Sequence, residues 1–521
     1  MNRIDITRTL VELQPSVLQV LWRECTPRIL VVTDTLNYSA ADGFGLSLFV
    51  DTLRASTIHG MTPTVTTASR TGSAGAQLTN YNFNDATNGL LKSRYDVLFL
   101  FGFSGEGSND LPAAQVDTIE RFMQDGGGVF ATGDHQTLGA SLCGNIARVR
   151  RMRKWKAADA PPSASGTNRH STNLSGLDET ETFADQSDAF AQRLYLNYRT
   201  VAGGTANVDR AAHPLMRMQA PRKVLEVFPD HPHEGECVLP PALGGTFTLA
   251  GQTVPEWPQD AAGVAVAPEM VAYSVSHGDG FGSKASLVPR LFGAVAAYDG
   301  HRARVGRVVT DATWHHFINI NLDGTGSGRS GFKNALGADT EELVRIRQYF
   351  VNLATWLMPS NVRRCLRFPR VIVEMQRFPL FEELDLPRPP EFKPDVAVAV
   401  GRSVLASLSS RQPDWEAQEL ADDVLEDALG DKLMARLSDG QGVGGISREE
   451  LRAAAVGGLV QGMALELAEL PSPERLVPHK SFEESARKGA KEAVAALMGE
   501  RRKAMAEIDE VIRTVGAEAG R

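Results

Sequence analysis

Cysteine is scarce in this chain and widely scattered: Cys25, Cys143, Cys237 and Cys365 are the only four among 521 residues, and no two form a Cys-x-x-Cys pair. That spacing suggests neither a disulfide framework nor a thiolate zinc knuckle, and it fits a reducing, cytoplasmic setting. Long apolar runs are missing too: no stretch of about 18 uncharged apolar residues is present. The opening segment, MNRIDITRTLVELQPSVLQVLW, carries Asp5 and Glu12 in place of a basic segment leading into an apolar one. Neither a signal peptide nor a membrane span is therefore expected. Charge of one sign is not in large excess: a formal net charge of −9 gives no general attraction for nucleic acid.

What is present is the balance of a globular protein, 42% hydrophobic and 22% charged. The length exceeds what one hydrophobic core usually organises, so two or three domains are expected. In the first third, short apolar runs alternate with helical patterns, as in βαβ units around a parallel sheet. RILVVTD (28–34), TPTVTTA (62–68), YDVLFLFGFSG (95–105) and VFATGDH (129–135) read as buried strands. GFGLSLFVDTLRAS (43–56) and AAQVDTIERFMQDGGG (113–128) read as helices, the second stopped by its glycines.

Residues 156–188 turn to Ser, Thr, Asn, Asp, Gly and Pro, the mark of a polar insertion. GGTFTLAGQTV (244–254) suggests further β structure, GRVVTDATWHHF (306–317) a late strand, and EELVRIRQYFVNLATWLM (341–358) an amphipathic helix. The expected layout is an α/β domain over 1–360, a proline-rich connector over 361–395 and a helical region over 396–521. Ser447 with Glu450 and Ser481 with Glu484 match the capping box. Leu497, Ala504, Ile508, Val511 and Val515 recur near a seven-residue rhythm, which suggests helix pairing within the chain or between copies in a homo-oligomer. An ordinary helix bundle is the alternative.

In a doubly wound sheet, ligands bind beyond the carboxyl ends of the strands, so residues there have the first claim on a site. Asp34 ends the first strand and leads into a loop with Tyr38. Asp134 and His135 end the fourth strand. PDHPHEGEC places His231, His233 and Glu234 together, a pattern suited to a divalent metal such as Zn, Fe or Mn. Asp311 ends the last strand, with His315 and His316 close behind. Neighbours on a strand face opposite ways, so one imidazole is expected in the site and the other in the scaffold, with His316 the better candidate for the site. The run RVRRMRKW (148–155) offers Arg148 and Arg151 as clamps for an anionic substrate, or else a solvated basic face.

GGGVFATGDHQTLGASLCG (126–144) resembles the strand and elbow of the class I glutamine amidotransferase-like superfamily, whose true amidotransferases present a catalytic cysteine there. Asp134 and His135 occupy that elbow here, so thiol-based glutaminase chemistry is not expected. HPLM (213–216) and Gly306-Arg307-Val308 leading to His315 bring the resemblance closer to the ThuA-like (trehalose utilisation) branch, over roughly residues 25–360. The resemblance implies a flavodoxin-like doubly wound sheet and a pocket faced by His135 and by His315 or His316.

Two functions follow as expectations. The first is a metal-dependent hydrolase-like enzyme acting on a small polar or anionic, carbohydrate-related substrate, without a nucleotide cofactor. His135, His231, His233, Glu234, His315 and His316 would be its metal ligands, Asp134 and Asp311 its acid–base carboxylates, and Asp34, Tyr38, Arg148 and Arg151 its substrate contacts. The second is a non-catalytic small-molecule-binding or scaffold protein assembled through its C-terminal helices.

Overall fold

Strand β1 (Arg28–Thr33) has the sequence RILVVT, and from Ile29 onward its residues are buried on both faces. Such a strand needs helices on each side of its sheet. Ile29 and Val31 enter one hydrophobic cluster and Leu30 and Val32 the other, as alternation across a pleat requires. Val97, Phe99 and Phe101 of β4 divide from Leu98 and Leu100 in the same way.

The structure is a computed structural model that describes residues 17, 18, 20, 22–107, 109–156, 191–202, 208–229, 235–275, 291–327, 330–377, 393–430, 434, 445–469 and 480–519. The chain is an α/β protein around a mixed sheet of nine strands. After β1 come β2 (Thr64–Ser69), β3 (Leu78–Thr79), β4 (Val97–Phe101), β5 (Gly128–Thr132), β6 (Tyr195–Leu196), β7 (Glu269–Val275), β8 (Leu291–Tyr298) and β9 (Val308–Asp311). Their order across the sheet is β3-β2-β1-β4-β5-β9-β8-β7-β6. The run from β3 to β9 is parallel, and β8, β7 and β6 extend it antiparallel. This antiparallel edge was not expected from the sequence.

Helices α1 (Ser47–Ala55) and α3 (Glu341–Leu357) cover one face, joined by a ring cluster in which Phe49 stacks edge-on against Phe99, Phe101, Phe317 and Phe350. Helix α2 (Ala113–Gln124) covers the other with Ile119, Phe122 and Met123. Residues 246–255, in the stretch expected to be β structure, form a hairpin. Most of the polar insertion, 157–188, lies outside the described residues.

The connector expectation is corrected. Ser360–Arg377 is helix α4, which continues through Pro369; residues 378–392 lie outside the described set. A proline inside a helix costs about 3 kcal/mol, and α4 offsets it with a buried apolar side carrying Leu366, Phe368, Val371, Ile372 and Met375. Buried ion pairs then tie α4 to the helices that follow. Arg363 meets Asp423 at 3.1 Å, Arg367 meets Asp427 at 2.6 Å, and Arg370 meets Glu416 at 3.4 Å.

Those carboxylates belong to α6 (Asp414–Leu429), part of a bundle with α5 (Pro394–Arg411), α7 (Arg448–Glu469) and α8 (Lys480–Ala519). Helix α7 is long and apolar enough to cross a membrane by length and composition, but most of its apolar window is buried within the protein. Gly457 permits that enclosure, since a Cβ there would run into the Ala397 carbonyl of α5. The Ser447–Glu450 capping box forms reciprocally, each side chain taking the other's backbone N–H at 3.1 Å. Ser481 follows Lys480 inside α8 and is not its cap.

The cysteine expectation is also corrected. Cys25 and Cys365, 340 residues apart in sequence, form a disulfide with Cα atoms 6.0 Å apart, because α4 passes beside the turn that precedes β1. Sequence spacing carries no signal for such a pair.

Candidate functional site at the carboxyl end of the sheet

Strands β5 and β9 pair in parallel, with Thr132 opposite Asp311, so the segments leaving them run side by side. Beyond β5 the chain turns through Gly133, Asp134, His135 and Gln136, the last with φ 54°, a left-handed conformation uncommon outside glycine. Beyond β9, Thr313 starts a single 3-10 turn over Trp314–His316 and caps it by accepting the His315 N–H. The strand has therefore ended before the histidine pair, and strand alternation does not govern it.

Asp134 is buried between the two segments. Its Oδ1 accepts a 2.6 Å hydrogen bond from the Thr313 hydroxyl, and its Oδ2 lies 2.8 Å from His135 Nδ1 and 3.7 Å from His315 Nε2. On the far side of His315, Nδ1 lies 3.0 Å from the Asn321 side-chain amide. As an amide NH2 can only donate, that nitrogen accepts, and the ring proton belongs on Nε2, toward Asp134. His135 is 35% exposed and His315 15%, so the pair stands where the buried carboxylate meets solvent. Trp314 stacks on His315 with centroids 4.3 Å apart and continues through Phe103 and Phe44 into an aromatic wall beside the cluster.

The floor is a buried arginine. Arg153 donates to the carbonyl oxygens of Asp134, Ala312 and Lys154, and its guanidinium lies 4.5 Å from the centre of the Trp155 ring. One planar fork thus ties the end of β5 to the end of β9. Burial holds its pKa below the ordinary arginine value, with Asp134 and Asp311 among the groups that oppose the shift. Gly235 lies against the same floor, where any side chain would meet the Ala312 carbonyl and the Arg153 guanidinium.

The other expected site residues divide. His316 is fully buried, with Nδ1 2.7 Å from Asp311 and its ring stacked on Phe228 at 3.9 Å. Tyr349 donates to the second Asp311 oxygen at 2.8 Å. Asp311 and His316 thus form an internal cluster with no exposed surface. Of the two imidazoles, His315 is partly exposed and faces Asp134, whereas His316, the one expected to face a site, is in the core.

Asp34 is buried at the end of β1, and its two oxygens accept the N–H groups of Phe103 and Ser104 at 2.8 and 2.9 Å. Burial raises its pKa against those bonds. The carboxylate staples β1 to β4 and is spent on that task. Tyr38 is buried as well and donates to the carbonyls of Val31 and Ala68, which removes it from substrate contact.

Arg148 is also corrected. Fully buried, it donates from Nε to the Glu256 carbonyl and from Nη2 to Gln124, at the opposite end of the sheet. Arg151 is half-exposed, 4.0 Å from the Glu256 carboxylate. The basic run is therefore divided between the core and one buried glutamate and forms no clamp at the site.

His231, His233 and Glu234 lie outside the described residues. Among the described residues, no group of three His, Cys, Asp or Glu side chains is arranged to hold a metal ion. Cys143 and Cys237 are buried, and burial pushes both thiols up, Cys237 to about 12. Such burial disfavours the thiolate form of both.

Sequence reasoning missed Thr313, Asn321 and Arg153. Thr313 stands two residues from Asp311, where a capping residue is legible once the strand end is known. Nothing local distinguishes Arg153 from its basic neighbours.

No protein-family model matches the chain, and no curated protein matches it.

Proposed function

We propose that the chain is a hydrolase-like enzyme acting on a small polar, carbohydrate-related substrate, with Asp134, His135 and His315 as its acid–base centre. The observation that carries this is the 2.8 Å contact of the buried Asp134 carboxylate with a partly exposed imidazole at a strand end. A carboxylate on Nδ1 fixes the ring tautomer and stabilises the imidazolium that forms when Nε2 takes a proton from an attacking water. The proton that His135 Nε2 takes from the water is the one it returns to the leaving oxygen, and His315, whose Nε2–H faces Asp134, helps to hold that carboxylate in place. The aromatic wall of Trp314, Phe103 and Phe44 supports a substrate with an apolar ring face.

The sheet order supports the amidotransferase-like reading. Setting aside the short β3, the run β2-β1-β4-β5-β9 is the 2-1-3-4-5 order of flavodoxin-like folds. The closeness of His135 and His315 to the same Asp134 oxygen supports the shared pocket that the ThuA-like resemblance implies. The metal-dependent form of the proposal rests on His231, His233 and Glu234; the described donors do not supply it, because Asp134 is committed to Thr313 and the two imidazoles.

The test is a panel of glycosides, esters, amides and phosphomonoesters, assayed with the wild type and His135→Ala, with metal content measured on both. Turnover of one class, reduced at least about a hundredfold in the variant, is expected. Turnover that His135→Ala leaves unchanged refutes the assignment.

A further inference from the structure

A cleft of about 360 Å³ lies between the sheet domain and the helices that follow it, a size suited to a small molecule. One wall is the turn 58–61, which precedes β2 and so lies at the amino end of the parallel strands, away from Asp134. Met61, Val351, Val373 and Leu408 give the cleft apolar sides. His59 and Gly60 at the turn's centre have φ 48° and 82°. Such a turn favours Asn-Gly, and the histidine that stands there instead is committed to Arg370.

Arg370 is the buried cation of the cleft. Its Nη1 donates to His59 Nδ1 at 3.1 Å, so that ring nitrogen accepts and the imidazole is neutral. Burial, with Arg370 and Arg363, holds His59 well below 6.5. The carboxylate partner of Arg370 is Glu416, 3.4 Å from Nη2, which is long for a charge-assisted bond. Arg370 Nε is buried without a hydrogen-bond partner among the described residues, and so is Nε2 of Gln412, which lines the same cleft. Burial lowers the Arg370 pKa more than Glu416, Glu419 and Asp423 restore it. Arg363, on the same helix, differs: against burial, Asp423 and Glu419 raise it. Arg370 is thus an under-compensated cation beside an unused amide donor.

We propose that the cleft binds a small monocarboxylate with an apolar tail, its carboxylate taking the Arg370 Nε–H and the Gln412 amide and its tail lying along Met61, Val351, Val373 and Leu408. The unused groups are all donors, which calls for an acceptor. A neutral amide would accept from them without relieving the cation, and a phosphate would bring about two charges to one cation and leave the apolar sides uncovered. In the empty cleft Arg370 and Arg411 balance Glu416 and Glu374, so an incoming anion is matched by one proton. Glu416 is placed to take it: burial pushes its carboxyl up to about 7, with Arg370 opposing and Glu419 adding to the rise. The groups that face it are Arg370 of α4, the neutral His59 of the turn and Glu419 of its own helix. The ligand then replaces Glu416 as the partner of Arg370.

The experiment is isothermal titration of the full chain with 4-methylpentanoate and phenylacetate, beside the neutral amide of each and inorganic phosphate, at pH 6.5 and 8.5. One of the acids should bind one to one, at least about tenfold tighter than its amide and at least about tenfold tighter at pH 6.5 than at 8.5. Gln412→Ala should weaken binding about fivefold. Val373→Trp, which fills the cleft and leaves Arg370 in place, should abolish it, and His135→Ala, at the other end of the sheet, should leave it unchanged. Should Val373→Trp fail to fold, Gln412→Ala and the amide comparison decide. No binding of either acid at millimolar concentration, an amide or phosphate that binds as tightly, or an affinity that Gln412→Ala or Val373→Trp leaves unchanged overturns the site. Equal affinity at the two pH values overturns the displacement of Glu416. Binding lost in His135→Ala assigns the acids to the cluster around Asp134 and overturns the proposal as well.

Discussion

The hydroxyl of Thr313 donates to the carboxylate of Asp134 at 2.6 Å across 179 residues of sequence, both side chains fully buried. This bond joins the segment after β9 to the segment after β5 and leaves the other Asp134 oxygen to the two histidines. Thr313→Val keeps the shape and removes the donor, so a buried carboxylate oxygen loses its partner. We expect a loss of about 1–3 kcal/mol in stability and a fall in turnover, both restored by Thr313→Ser. Chemical denaturation of the three proteins checks it.

Arg153 makes its bonds to carbonyl oxygens through a planar fork. Arg153→Lys retains the charge but cannot span Asp134, Ala312 and Lys154 together. We expect Arg153→Lys to destabilise by about 2–3 kcal/mol and to lower kcat more than it raises KM, because the strand ends are no longer held in register. Equal stability of the two proteins in a urea titration contradicts this role.

The internal cluster of Asp311, His316 and Tyr349 behaves differently. Tyr349→Phe leaves one Asp311 oxygen without its donor in a fully buried place. The expected cost is about 1–3 kcal/mol of stability, with kcat/KM of the remaining folded protein unchanged. Thermal denaturation alongside the turnover assay separates this cluster from the one around Asp134.

His213 gives a pH prediction. It is buried against Trp356, accepts the Leu215 N–H, and is held well below its ordinary pKa of 6.5, by burial first and then by Arg199, Arg307 and Arg217. Its folded pKa is depressed, so as pH falls through 6.5 the unfolded chain takes up the proton first and the folded state loses stability. His213→Asn can still cap the turn but does not titrate. The wild type should therefore lose up to about 1.4 kcal/mol per pH unit relative to the variant below that point. Unfolding free energies measured in parallel at neutral and mildly acid pH decide it; a constant difference contradicts the buried neutral imidazole.

The parallel half of the fold was legible because β1, β4 and β5 are apolar runs closed by turns, and α1, α2 and α3 have clear helical periodicity. The antiparallel edge was not, since a buried strand and a buried helix segment look alike when both are short and apolar. The path through Pro369 was hidden for a related reason: proline reads as a breaker unless the packing that overrides it is known. Asp134, His135 and the histidine pair were singled out in the sequence by their place at strand ends. Which of His315 and His316 faces solvent depended on where β9 stops, and that is set by Thr313 capping a 3-10 turn. The burial of Arg148, Arg153, Asp34 and Tyr38 depends on long-range partners such as Glu256, Ala312 and Phe103, which no local pattern announces.

The most direct measurement is a double-mutant cycle on the turnover found with the substrate panel, using Asp134→Asn, His135→Ala and the two together. If Asp134 acts through His135, the double variant should be no slower than His135→Ala alone, with all three proteins folded. Additive losses, or turnover that survives in every variant, would contradict an acid–base centre built on this pair.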